Sequence, residues 1–105
     1  MLLEKLFVLT GRPKITGYEN EKGIYKEGEM LLLACDDVEG KPSKLRWMRD
    51  GNVIPHNTQG YFLKVKKLSR SDEGAYVCCA EYPLGNVSSL EVRIKVQCEC
   101  LFSLF

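Results

Sequence analysis

Asp72-Glu73-Gly74-Ala75-Tyr76-Val77-Cys78 is the stretch on which the reading of this chain turns. In an extended strand, side chains alternate between two faces. Tyr76 and Cys78 therefore share one face, and Val77, Cys79 and Glu81 share the other. The same period of two recurs outward from this point. Upstream, Leu31, Leu33 and Cys35 alternate with Met30, Leu32 and Ala34; Leu45 and Trp47 alternate with Lys44, Arg46 and Met48; Leu63 and Val65 alternate with Lys64 and Lys66. Downstream, Leu90-x-Val92-x-Ile94-x-Val96 sets Glu91, Arg93 and Lys95 on the opposite side. Each run reads as a half-buried strand. Between them lie turn signals at Glu27-Gly28-Glu29, Gly40-Lys41-Pro42, Asp50-Gly51 and Pro83-Leu84-Gly85-Asn86. Residues 12–18 are expected to form a first strand, where Pro13 is tolerable at a sheet edge. An irregular strand region is expected through Val53, Ile54 and Pro55.

With 105 residues, the chain can bury about two-thirds of the surface it exposes when unfolded, which supports one core and not two. Hydrophobic residues make up 45% and charged residues 28%, with no low-complexity tract or internal repeat, and this excludes a disordered tail protein. The formal net charge of +1 argues against general nucleic-acid binding, which calls for a strongly basic domain or stripe.

Cys35, Trp47 and the Asp72–Cys78 run together resemble the pin of the immunoglobulin superfamily, in the intermediate or C2-type set found in adhesion molecules, receptor ectodomains and muscle proteins. Twelve positions separate Cys35 from Trp47 and forty-three separate Cys35 from Cys78, leaving room for the strands this fold places between them. The resemblance covers residues 12–97, with 1–11 expected to be a leader and 98–105 a tail, neither of them part of the core. It implies an all-β, two-sheet antiparallel Greek-key sandwich in which Cys35 on strand B and Cys78 on strand F bridge the sheets across Trp47 on strand C. Closing that loop would stabilise the fold by about 4 kcal/mol in the chain-entropy model. Asp72, Gly74 and Tyr76 are implied to be structural, forming a tyrosine corner whose hydroxyl bonds backbone a few residues upstream. Many relatives pair the corner aspartate with an arginine from the D-strand region. No arginine lies between Asp50 and Ser69 here, so Asp72 is expected to cap the local turn or to pair with a lysine.

Functional candidates are then outward-facing groups. On the C-F-G sheet, Met48, Val77 and Cys79 would form an apolar strip ringed by Arg46, Glu81, Glu91, Arg93 and Lys95, an arrangement like an interface centre with a charged rim. The outward thiol of Cys79 is expected to promote self-association through this face. Strand B offers a second strip, Met30, Leu32 and Ala34, beside Lys64 and Lys66. Ordinary surface apolarity is the competing explanation for both. Lys64, Lys66, Lys67 and Arg70 could attract heparin-like chains, but a solvated face that discourages edge pairing explains them as well.

No catalytic group, cofactor or metal is expected. Cys98-Glu99-Cys100 supplies two thiol ligands where a closed zinc site needs four. His56, the single histidine, would have to lie beside a cysteine sulfur to act in nucleophilic catalysis. Asn86-Val87-Ser88 matches the N-glycosylation sequon. Disulfide use favours an oxidising compartment, so the expected setting is extracellular or cell-surface, with an intracellular muscle or cytoskeletal scaffold module as the alternative. The expected partners are a protein ligand or neighbouring immunoglobulin-like domains, with homo-association possible through the C-F-G face and no nucleic acid. Residues 1–9 have an interrupted apolar core and no small-residue cleavage site, making a poor signal peptide. Residues 101–105 are far too short to span a bilayer. Membrane attachment is therefore expected only through other parts of a longer parent protein.

Overall fold

The computed structural model describes residues 11–17 and 22–98. Among these residues, ten strands build two sheets: β1 (Lys14–Thr16), β2 (Ile24–Lys26), β3 (Leu31–Asp36), β4 (Lys44–Arg49), β5 (Asn52–Val53), β6 (Thr58–Gln59), β7 (Phe62–Val65), β8 (Gly74–Tyr82), β9 (Gly85–Ser88) and β10 (Val92–Gln97). One sheet runs β1-β3-β7-β6. The other runs β2-β10-β8-β4-β5, with β9 added beside β8. This is the immunoglobulin-like sandwich that the resemblance implies.

The alternation places the core where the sequence reading puts it. Leu31, Leu33, Cys35, Trp47, Leu63, Val65, Tyr76, Cys78, Ile94 and Val96 are all buried, because a strand between core and solvent must turn every second side chain inward. The Cys35–Cys78 disulfide joins the sheets. Trp47 lies buried in the same cluster, and its indole N–H donates to the Gly60 carbonyl at 3.3 Å, so its polar edge is satisfied as well. Asp50 and Gly51 both adopt positive φ, 52° and 83°. That is the backbone of a two-residue hairpin turn, and it joins β4 to β5 with Arg49 opposite Asn52.

Three features depart from the sequence reading. First, the edge near the amino terminus uses two short strands on different sheets: β1 pairs antiparallel with β3, whereas β2 pairs parallel with β10. Gly23 permits the second contact, since a Cβ there would sit 2.3 Å from the Arg93 carbonyl oxygen.

Second, β8 runs on to Tyr82 and β9 starts at Gly85, so the predicted four-residue loop shrinks to Pro83-Leu84.

Third, the final strand is interrupted. Cys79 pairs with Ser88 and Tyr76 with Val92, which leaves Ser89, Leu90 and Glu91 facing only Val77 and Cys78. The extra residue is a β-bulge. It carries Leu90 out of the predicted inward series to 69% exposure and buries Ser89 instead.

Candidate interface faces of the sandwich

The corner before β8 brings Asp72, Gly74 and Tyr76 into one network. The Tyr76 hydroxyl donates to the Asp72 carbonyl. The Asp72 carboxylate accepts the Ser69 backbone N–H at 2.8 Å, closing the short 3-10 turn Arg70–Asp72. The missing D-strand arginine is replaced from another direction, because Arg49 at the end of β4 approaches the Asp72 carboxylate at 3.9 Å. A Cβ on Gly74 would lie 2.7 Å from both the Arg49 Cγ and the Asp50 carboxylate, and that carboxylate accepts the Ala75 N–H. Burial pushes the Tyr76 phenol above its ordinary value; Arg49 opposes the shift, and Asp72 and Asp50 reinforce it. Glu73 escaped the sequence reading. Its carboxylate accepts the Val96 N–H at 2.9 Å, beyond the point where β8 can pair with β10.

Beside this corner, Arg49, Asp50, His56, Asp72 and Tyr76 line an open cleft of about 390 Å³. His56 belongs to it, and no cysteine is among its lining residues. No group of three or more metal-ligating side chains occurs among the described residues.

The outer face of the β4-β8-β9-β10 sheet gathers Arg46, Met48, Val77, Cys79, Glu81 and Arg93, as their parity requires. Its character differs from the expected apolar strip. Cys79, the free cysteine among the described residues, is buried at 8% exposure. It sits between Arg46 and Ser88 in register, and the Arg46 Nε lies 2.7 Å from Glu81 Oε2 along the diagonal past it. Parity states which face a side chain occupies, not what lies over it. The expectation of an accessible thiol that drives association is therefore corrected. Met48 and Val77 are only partly exposed. Arg93 is highly exposed and lies 3.8 Å from Glu91.

The opposite sheet is more apolar on its outside. Met30 is 52% exposed, Leu32 41% and Phe62 54%. Phe62 faces Ala34 across the strands, and Leu32 faces Lys64, so these side chains share one surface. A shallow depression within it is lined by Leu32, Phe62, Lys64, Gln59, Thr58 and Asn57. Exposed Lys64 and Lys66 give the rim a positive bias, while Lys14 is matched across the strands by Asp36. Phe62 was not singled out from the sequence, though it stands two residues from Lys64 and so on the same face.

Asn86 and Ser88 lie in β9, both exposed, opposite Glu81 and Cys79.

A family profile described as the immunoglobulin domain matches residues 12–96. Hemicentin-1 of Mus musculus is 37% identical over 82 residues, covering 74% of this chain and 1% of that protein. Fibroblast growth factor receptor-like 1 of Homo sapiens is 35% identical over 85 residues, covering 74% of this chain and 16% of its own length. The chain thus spans only a small part of these curated relatives. Among solved structures, murine CEACAM1b superposes with a TM-score of 0.67 at 18% identity, over 83% of this chain and 45% of that one, a likeness that speaks to fold alone.

Proposed function

This chain belongs to the immunoglobulin domain family, and from that premise we propose that it is a non-catalytic protein-binding module of a cell-adhesion molecule or receptor ectodomain, working outside the cell or at its surface. The observation that carries the binding role is the exposure of Leu32 and Phe62 together on the outer side of one sheet, with Met30 exposed two residues before Leu32. A monomeric surface gains nothing by exposing several large apolar side chains together, whereas an interface needs such a centre within a polar rim. The partner is a protein surface with an apolar centre and an acidic rim. A second copy applied to the same face would bring Lys64 and Lys66 against their own counterparts, which like-charge repulsion disfavours. The inter-sheet disulfide supports the compartment, since such bonds persist in oxidising surroundings. Similarity to fibroblast growth factor receptor-like 1 supports the ectodomain context.

The test begins with the native protein. Surface labelling of intact cells, followed by non-reducing peptide mass analysis, is expected to recover the chain outside with Cys35 and Cys78 joined. Recovery from the cytosol with both as thiols overturns the reading in favour of an intracellular scaffold module. For the face, saturable binding of the soluble full chain to cell surfaces is expected to weaken at least tenfold in Phe62→Asp, and to weaken with rising salt through Lys64 and Lys66. Unchanged binding in Phe62→Asp, with loss in Arg93→Glu, moves the contact to the other sheet.

A further inference from the structure

We propose that Asn86 carries an N-linked glycan, and that this glycan covers the outer face of the β4-β8-β9 sheet and leaves the Met30-Leu32-Phe62 face free for protein contact. The inference rests on the extracellular reading above. Asn86-Val87-Ser88 has the required hydroxyl two positions on and no proline between, whereas Asn20, Asn52 and Asn57 are followed at that distance by Lys22, Ile54 and Gln59. The fold then meets a condition that a three-residue match does not guarantee. In an extended strand, residues two apart share a face. Asn86 and Ser88 accordingly stand together on the outer side of β9, both exposed. β9 pairs with β8 alone among the described strands and follows a two-residue turn whose Leu84 is also well exposed. A bulky sugar fits there without displacing any core side chain.

In the transfer, the Asn86 Nδ2 attacks the anomeric carbon of a polyprenyl diphosphate-linked oligosaccharide. The new bond is C1–Nδ2, and the C1–O bond to the diphosphate breaks. The lipid diphosphate leaves with the electron pair, and the amide gives up one proton; nothing is oxidised or reduced.

Placement gives the modification its consequence. Asn86 faces Glu81, which is paired with Arg46 beside the buried Cys79. A glycan rooted at Asn86 rises over that part of the sheet and blocks the exposed side of β9, the protection an edge strand needs against pairing with other chains. The chain would thus be sugar-covered on one sheet and protein-binding on the other.

The experiment is translation of the full chain, behind an appended cleavable signal peptide, into microsomes. The protease-protected chain is expected to migrate as a heavier species that peptide N-glycosidase returns to the polypeptide mass, leaving aspartate at position 86. Ser88→Thr is expected to keep the heavier species, and Ser88→Ala and Asn86→Gln to lose it. A lumenal chain that stays at its polypeptide mass overturns the site, as does modification that persists in Ser88→Ala. The appended signal delivers the chain whatever its native address, so an unmodified lumenal chain overturns this site alone. A native protein found in the cytosol overturns the extracellular reading, and with it modification in the cell.

Discussion

Trp47 shows how one side chain can serve both halves of the sandwich. It is 1% exposed, belongs to the cluster that holds Cys35 and Cys78, and spends its only polar atom on Gly60. Trp47→Ala is expected to cost roughly 3–5 kcal/mol, through lost burial and the cavity left behind, read as a lower midpoint in chemical denaturation. Tyr76 makes a second prediction, about pH. Its phenol has a raised value in the folded state because of burial, while the unfolded chain ionises near its usual value of about 10. The folded state therefore holds the proton longer. Stability from this group is complete below about pH 10 and falls as pH rises through the folded-state value. Tyr76→Phe loses the hydrogen bond to the Asp72 carbonyl, about 1 kcal/mol, and so is expected to be less stable at neutral pH. The gap between the two proteins should narrow above pH 10, and a gap of constant size across the alkaline range would contradict the buried-phenol account.

At the scale of elements, legibility followed periodicity. The inward residues of β3, β4, β7 and β8 could be read because a period of two persists for several residues, and a slip of one would turn the whole set to solvent. Ile24–Lys26 is too short for any period to emerge, and its strand character comes from the parallel partner β10. The bulge was hidden for a related reason. Leu90 continues the apolar alternation in sequence, and only the pairing of Cys79 with Ser88 on one side and Tyr76 with Val92 on the other reveals the extra residue. Ser89 shows what stabilises that irregularity: its Oγ accepts the Cys78 N–H at 3.0 Å and donates to the Leu90 carbonyl at 2.9 Å. Without the hydroxyl, that amide loses its side-chain acceptor beside a fully buried cysteine. Ser89→Ala is therefore expected to destabilise by about 1–3 kcal/mol and to speed hydrogen exchange at the Cys78 amide more than at Ile94. Equal acceleration at the two sites would remove Ser89 from this role.

Across the whole molecule, the single covalent tie between the described parts of the two sheets closes a loop of 43 residues. Reduction is expected to remove about 4 kcal/mol by the chain-entropy argument, a large share of the 5–15 kcal/mol typical of a domain. Cys79 lets that loss be watched. The thiol neighbours Cys78 in sequence but faces the opposite side of β8, where it is buried in the folded state. In the oxidised native protein, an alkylating reagent is therefore expected to leave Cys79 untouched until the sandwich opens, so its labelling rate reports opening and not surface access. Reduction should accelerate that rate in proportion to the lost stability, on the order of 10²- to 10³-fold when opening is fast compared with alkylation. Truncation after Gln97 takes Cys98 and Cys100 out of the measurement, and peptide fragmentation assigns the label to Cys79 and not to the Cys35 and Cys78 thiols that reduction also frees. Rapid labelling of Cys79 before reduction would mean that the Arg46–Glu81 side of the sheet does not close over the thiol. The accessible sulfur read from the sequence would then return as a source of cross-linking on that face.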